Sequence, residues 1–189
     1  MSMKKWSLCL CLALFAFAAN AQEAAIKFPK PDDSPMDALY YPLNATKVKD
    51  NSMPLIKVLY SRPQKKGREI FGILEQFDKV WRLGANENTE IYFDENVTIG
   101  DKKVKKGRYS LFAIPSKDKW TIIVNKQTDR WGAFTYDQSK DVVRVEVPIA
   151  KLDKPLEVFS MTFTDRTDGA NLIMAWDTTQ VSLPILFKK

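Results

Sequence analysis

The sequence contains no histidine, and its two cysteines, Cys9 and Cys11, lie near the N-terminus. Histidine is the commonest general base and the commonest metal ligand in proteins. Its absence excludes Ser-His-Asp and Cys-His catalysis, and it excludes zinc sites built on imidazole. We therefore expect neither a metal nor another cofactor, and we assign no catalytic residue. The composition favours a protein that is not an enzyme.

The first 21 residues have the pattern of a secretory signal peptide. Lys4 and Lys5 precede an apolar run at residues 8–18, which is too short to span a bilayer as a helix. Residues 19–21 form a small-x-small cleavage site. We predict cleavage near Ala21 and export to the periplasm or beyond, with no transmembrane segment in the mature chain. Both cysteines would leave with the signal peptide, so no disulfide could form.

The length and composition suit one domain of moderate size. Hydrophobic residues make up 45% of the chain and aromatic residues 12%, which is enough for a core and favours sheet over a helical bundle. The formal net charge is +6, but the lysines form no long run and no recognition helix is visible. We therefore expect no nucleic-acid partner.

Proline and a loss of periodicity divide the mature chain into two parts. Residues 22–52 contain four prolines and no sustained hydrophobic pattern, which predicts an extended arm. Residues 53–189 carry regular patterns and are predicted to form a single β-rich domain. A further hypothesis makes the arm, at residues 28–51, the contact for a protein partner whose identity the sequence does not reveal.

Most of the predicted domain has the period of β-strands. Alternating apolar and polar residues indicate roughly nine short strands separated by turns. Gly100 and Asp101 predict a two-residue hairpin turn, because glycine readily adopts a positive φ. Residues 108–115 are apolar on both faces and should form a central strand. The pattern favours an all-β fold, an antiparallel β-sandwich of the jelly-roll type, with a β-barrel as the alternative.

One stretch has the period of a helix instead. Apolar residues follow i, i+3, i+4, i+7 spacing from Ile70 to Phe77, which predicts a short amphipathic helix at residues 68–77. Gly72 lies inside this stretch and is unfavourable in a helix interior. The helix is therefore the least regular element that we predict.

The stretch at residues 60–93 concentrates polar and aromatic side chains in turns. Arginine offers five planar donors to a carboxylate or phosphate, asparagine and glutamate suit sugar hydroxyls, and a tryptophan face stacks on sugars. We therefore predict a binding or envelope-associated module, with a site for a glycan or another polar small molecule. Its candidate ligand-binding residues are Arg62, Arg68, Trp81, Arg82, Asn86, Glu87 and Asn88. In the alternative interpretation these side chains pair with one another and support loop backbone.

Carboxylates allow an alternative function. Glu87 with Glu90, Asp94 or Asp137 could supply an acid and a base, which would make the protein a carboxylate-dependent hydrolase acting on glycans. Alternation places Glu90 and Asp94 on one face of a strand, where solvated carboxylates are common. The hypothesis that Glu87 pairs with Glu90, Asp94 or Asp137 therefore rests only on their positions in the sequence.

A later loop contains a compact aromatic group. Trp131, Phe134 and Tyr136 surround Gly132 within the loop at residues 126–140. Such a group usually packs as a hydrophobic cap beneath its own loop. We predict a cap here, with an exposed groove as the alternative.

The stretch at residues 60–93, together with several later motifs, also carries a family resemblance. Its motifs are Tyr60-Ser61-Arg62-Pro63, Lys66-Gly67-Arg68, Ile70-Phe71-Gly72 and the run from Val80 to Glu87, followed by Gly107-x-Tyr109, Trp120-Thr121 and Trp131-Gly132. Together these motifs resemble domain-of-unknown-function family 2911. The resemblance implies a secreted, β-rich bacterial protein of uncharacterised function and gives no mechanism. One departure is Phe77-Asp78-Lys79, where members often have Pro-Tyr-Gly, so the conformation of this turn can differ.

Overall fold

The computed structural model describes residues 25–47 and 52–187. The predicted signal peptide at residues 1–21 lies outside the described residues, so export remains a prediction from the sequence. The chain divides into two compact units, Met1–Pro31 and Asp32–Lys189. Residues 25–31 of the first unit have no regular secondary structure. The strands and the candidate sites described below belong to the second unit.

The described residues form an all-β fold in which every strand pairs with antiparallel neighbours. The strands are β1 (Met36–Tyr41), β2 (Ile56–Ser61), β3 (Thr89–Phe93), β4 (Val97–Ile99), β5 (Lys102–Val104), β6 (Gly107–Pro115), β7 (Lys119–Asn125), β8 (Asp141–Arg166) and β9 (Gly169–Phe187). They form one sheet in the order β1-β2-β3-β6-β7-β8-β9-β4-β5. Its edge strands β1 and β5 do not pair with each other, so the sheet is open and the barrel alternative is wrong.

The segment predicted to be an extended arm contributes an edge strand. β1 pairs with β2 over its whole length. The Tyr41 hydroxyl at its end donates to the Asp165 carboxylate at 3.0 Å, and the Tyr41 ring lies 5.4 Å from the ring of Phe163. These contacts connect residues 36–41 both to β2, by strand pairing, and to β8, by side-chain packing.

The long strand β8 connects the two halves of the sheet. Its residues 141–148 pair with β7, and its residues 149–166 pair with β9, with register shifts on either side of Leu156. Pro148 could be expected to end a strand, because proline lacks a backbone donor. In the structure Pro148 is the last residue paired with β7, and the strand continues because its partner changes there.

Inward side chains from both halves of the sheet meet in one core, with Trp81 at its aromatic centre. The Trp81 ring lies 5.5 Å from Trp120 of β7, 5.1 Å from Phe159 of β8 and 6.1 Å from Trp176 of β9. Its backbone exchanges two hydrogen bonds with Ala113 of β6, at 2.7 and 2.9 Å. The connection from β2 to β3 therefore inserts Trp81 into the core between the halves of the predicted sandwich.

Two detailed predictions about strands are confirmed. Gly100 has φ of 59° and, with Asp101, joins β4 to β5 in a two-residue hairpin. β6 lies between β3 and β7 in the interior of the sheet. Its Leu111 and Phe112 point to opposite faces and are both buried, at 0% and 2% exposure, which explains why both faces of this strand are apolar.

The predicted helix at residues 68–77 is wrong. Gly72 has φ of 99°, which is incompatible with an α-helix, and Ile73 is 66% exposed instead of packing inward. The N–H of Glu75 donates to the Ile70 carbonyl at 2.9 Å, and the N–H of Gly72 donates to the Glu75 carbonyl at 2.9 Å. These bonds close a compact turn, so the glycine and its backbone bonds outweigh the apolar spacing.

The described chain contains no helix of the length and apolarity that a membrane crossing requires.

Candidate functional site

The candidate residues around Glu87 lie in a tight loop at residues 82–88, just before β3. Leu83 and Asn86 both have left-handed backbone conformation, with φ of 57° and 59°. Thr89 closes the loop, because its hydroxyl donates to the Leu83 carbonyl at 2.6 Å. Its N–H also donates to the Arg82 carbonyl at 3.1 Å. Local hydrogen bonds therefore fix the conformation of this loop.

This loop pairs with a second loop at residues 126–137. The N–H of Asn88 donates to the Arg130 carbonyl at 3.0 Å, and the N–H of Gly132 donates to the Asn86 carbonyl at 2.9 Å. The side-chain oxygen of Asn88 also accepts from the N–H of Arg130 at 2.9 Å. We call this pair of segments the loop ladder.

Glu87 and Trp131 are opposite partners in the loop ladder. Because the hydrogen bonds flank this pair, it has the geometry of a non-hydrogen-bonded pair, with Cα atoms about 4.5 Å apart and both side chains on one face. Glu87 is exposed, and Trp131 is 63% exposed. An indole and a carboxylate therefore stand side by side in solvent.

A cleft of about 180 Å³ adjoins Glu87 of this pair. Its lining includes both apolar side chains and charged ones of either sign: Met36, Leu59, Glu87, Asn88, Glu90, Arg108, Asp129 and Arg130. A second hollow of about 370 Å³ shares Leu59, Glu90 and Arg108 with it and continues over the outer face of β2 and β3. The two hollows form one elongated surface beside the loop ladder.

An ion-pair network forms the floor of the cleft. The Arg108 guanidinium donates to Glu90 at 2.6 Å and to Asp129 at 2.5 Å. The second oxygen of Glu90 accepts from the N–H of Asp129 at 2.7 Å. These hydrogen bonds raise the pKa of Arg108, and the bond from Arg108 lowers the pKa of Asp129. These shifts favour the charged forms of Arg108 and Asp129, and the network holds the second loop against β3 and β6.

The aromatic group of the second loop is only partly a cap. Tyr136 packs its ring 5.2 Å from Phe112 and donates to Asp141 at 2.6 Å, and burial with this bond raises the pKa of Tyr136. Phe134 is 82% exposed and Trp131 is 63% exposed. The predicted cap is thus wrong for these two rings, because the loop ladder turns them outward.

The chain matches a known family. Comparison with protein families matches residues 42–185 to the family described as a protein of unknown function, DUF2911. This chain belongs to the DUF2911 family. A search of the curated proteins and a search of the solved structures each returned no match. The DUF2911 match includes the loop ladder and every strand except β1 and the last residues of β9.

Two of the predicted site residues of this DUF2911 protein are buried. Trp81 is 3% exposed, and its indole N–H donates to the Gly84 carbonyl at 3.2 Å. Asn88 is 4% exposed, and its amide donates to the Ser110 hydroxyl at 2.6 Å. The exposed indole near the predicted site is therefore that of Trp131.

Two predicted arginines of the DUF2911 chain lie away from the loop ladder and already have acceptors. Arg62 donates to Asp37 and to Ser160, each at 3.0 Å, and to the Phe159 carbonyl at 3.4 Å. Arg68 donates to backbone carbonyls within its own turn, at 2.5 and 3.0 Å. Arg62 thus pairs mainly with side chains of other strands and Arg68 supports its own turn, so the structure brings together only Arg82, Asn86, Glu87 and Asn88.

Glu75 is a site residue that the sequence analysis of this DUF2911 chain missed. Burial raises its pKa from 4.5 to about 7, and the positive charges of Arg82 and Arg68 oppose this shift. The apolar spacing of the predicted helix left Glu75 on its polar face, so the local sequence did not indicate burial. The described part of the chain contains no group of three or more acidic side chains that could hold a metal ion.

Proposed function

We propose that this protein is an exported, non-enzymatic binding module that takes a neutral glycan on the Glu87–Trp131 face of the loop ladder. The observation that carries the proposal is the exposed indole placed directly opposite an exposed carboxylate, beside a cleft. A protein that only needs to fold gains little from a tryptophan in solvent.

The chemistry of the face suits a sugar. One face of a pyranose is apolar and stacks on an indole, while its hydroxyls need donors and acceptors at the edge. Glu87 supplies acceptor oxygens, and Arg130 supplies donors on the rim of the cleft. The elongated surface beyond offers room for further sugar units, with Leu59 and Met53 as apolar contacts.

Export is the part of the proposal that rests on the sequence. The signal-peptide pattern at residues 1–21 supports it. Glycans of an envelope or a secreted matrix would be accessible to a protein in that compartment. A mature chain without cysteine would also be insensitive to oxidation to disulfides there.

The hydrolase alternative receives less support from the geometry. Glycoside hydrolysis needs one carboxyl group free to donate a proton and another free to attack or to activate water. Both oxygens of Glu90 are occupied, by Arg108 and by the N–H of Asp129. Glu90 is therefore a poor partner for Glu87.

Titration calorimetry against a panel of neutral oligosaccharides tests the proposal. We expect Trp131→Ala to weaken binding about tenfold or more, since exposed aromatic anchors dominate such contacts. Glu87→Ala should weaken it several-fold through lost hydrogen bonds. Phe28→Ala and Glu69→Ala are matched controls at other exposed positions and should bind normally. Binding that is equal in Trp131→Ala and the wild type would refute this face as the site.

A further inference from the structure

The side chain of Arg82 has an unused donor in a buried position. Its Nε is buried and makes no hydrogen bond, one of two such side-chain atoms in the described part of the chain. The residue as a whole is only partly exposed. A buried guanidinium nitrogen without an acceptor is rare in native proteins and calls for a partner.

Two segments outside its own loop approach this guanidinium. The turn at residues 69–77 contributes Glu75, whose charge interacts with Arg82. The second loop of the loop ladder contributes Gly132, where a Cβ would lie 3.7 Å from Nη1 of Arg82. A Cβ at Gly132 would also lie 2.9 Å from Cε2 of the Phe134 ring. Nε of Arg82 thus lies buried in a junction of turns, while the side chain as a whole keeps some exposure to solvent.

Glu75 does not satisfy Arg82. Among residues 25–47 and 52–187, no ion pair within 4.0 Å and no hydrogen bond joins their side chains. Burial raises the pKa of Glu75 to about 7, so near neutral pH much of the protein carries this group uncharged. The positive charge of Arg82 is then left without a full counter-charge.

We propose that the Arg82 guanidinium is an oxyanion site, which takes the carboxylate or phosphate group of an anionic ligand. Arginine binds such groups through two parallel hydrogen bonds, and these are about twice as strong as neutral ones. The site is independent of the proposed glycan face. Arg82 is not among the residues that line the cleft and the hollow beside that face.

The charges around the junction predict how this site depends on pH. The groups that act on Glu75 are Arg82 and Arg68. Above pH 7 the ionised Glu75 competes with a bound anion for the positive charge. Below pH 7 Glu75 is neutral, so anion affinity rises as the pH falls.

Sulfate is the appropriate probe, because its charge is constant between pH 6 and pH 8. We expect the full chain to bind sulfate by calorimetry at constant ionic strength, more tightly at pH 6 than at pH 8. Arg82→Gln should weaken binding about tenfold or more. Arg166→Gln is the matched control, since Arg166 is paired with Asp168 at 2.9 Å, and it should bind as the wild type does. Acetate and methyl phosphate, titrated separately, distinguish a carboxylate ligand from a phosphate ligand.

Glu75→Gln gives a second, independent test. It should raise sulfate affinity at pH 8 to the value at pH 6 and abolish the pH dependence. If Arg82→Gln fails to fold, Glu75→Gln decides whether the oxyanion site exists. A sulfate affinity of Glu75→Gln at pH 8 equal to that of the wild type at pH 8 would overturn the site. Equal sulfate binding by Arg82→Gln and wild type would also overturn it. Loss of sulfate binding with glycan binding intact in Arg82→Gln separates this site from the glycan face.

Discussion

Asn88 and Ser110 form the buried hydrogen bond that fixes the loop ladder to the sheet. The Asn88 amide donates to the Ser110 hydroxyl at 2.6 Å, and the hydroxyl in turn donates to the Gln127 carbonyl. The amide oxygen accepts from the N–H of Arg130 at 2.9 Å. A single asparagine at the start of β3 thus connects β6 with two points of the second loop.

Asn88→Ala should therefore destabilise the protein and loosen the second loop. The change removes three hydrogen bonds and leaves the N–H of Arg130 without this acceptor, which costs about 1–3 kcal/mol in the free energy of unfolding. Urea denaturation measures this loss, and hydrogen exchange should be faster at Arg130. Asn96→Ala is the control, because its side chain accepts one exposed bond. Unchanged exchange at Arg130 would contradict a connecting role for Asn88.

The sequence predicts the sheet because local patterns and burial agree in the strands. β6 is apolar on both faces because it is central and because Tyr136 covers Phe112 on the outer side. The hairpin at Gly100 depends on two adjacent residues alone. Such features need no knowledge of distant parts of the chain, which explains why they could be predicted.

The candidate site could be predicted only in its approximate position. Trp81 stands among charged residues and glycine, which suggested exposure, but its backbone pairs with Ala113, far along the chain, and turns the indole into the core. Trp131 is exposed because its loop pairs with Glu87. Both outcomes depend on contacts between segments distant in sequence, and no local pattern records them.

Gly169, the first residue of β9, should not tolerate a side chain. A Cβ at this position would overlap the Ile185 carbonyl oxygen and lie 2.9 Å from Cα of Leu186. These are backbone atoms of the same long strand and cannot rotate away. We expect Gly169→Ala to lower the free energy of unfolding by about 3 kcal/mol, as backbone displacement in a packed region does.

Gly67→Ala is the control for that substitution, because nothing lies within 4 Å of its Cβ position. Its φ of 71° is left-handed, so alanine there costs about 1–2 kcal/mol from the backbone alone. Thermal and urea denaturation of both variants compare the two effects. A smaller loss at Gly169 than at Gly67 would show that the close approach of the backbone is not a constraint.

Glu75 should make the stability of the protein fall as the pH rises. Its pKa is about 4.5 in a model peptide and about 7 in the folded protein, chiefly because of burial. The folded state therefore holds a proton that the unfolded state has lost, so stability decreases between pH 4.5 and pH 7 and stays reduced above. A shift of this size corresponds to about 2–3 kcal/mol.

Glu75→Gln removes this proton equilibrium while keeping the shape of the side chain. We expect the variant to be about 2–3 kcal/mol more stable than the wild type at pH 8 and nearly equal to it at pH 4. Urea denaturation at both pH values measures the difference, and subtracting wild type from variant cancels the titration of other carboxyl groups. Glu69→Gln changes an exposed carboxylate in the same turn and should show no such difference. A stability gain of equal size at pH 4 and pH 8 would mean that folding does not change the pKa of Glu75, contrary to its burial.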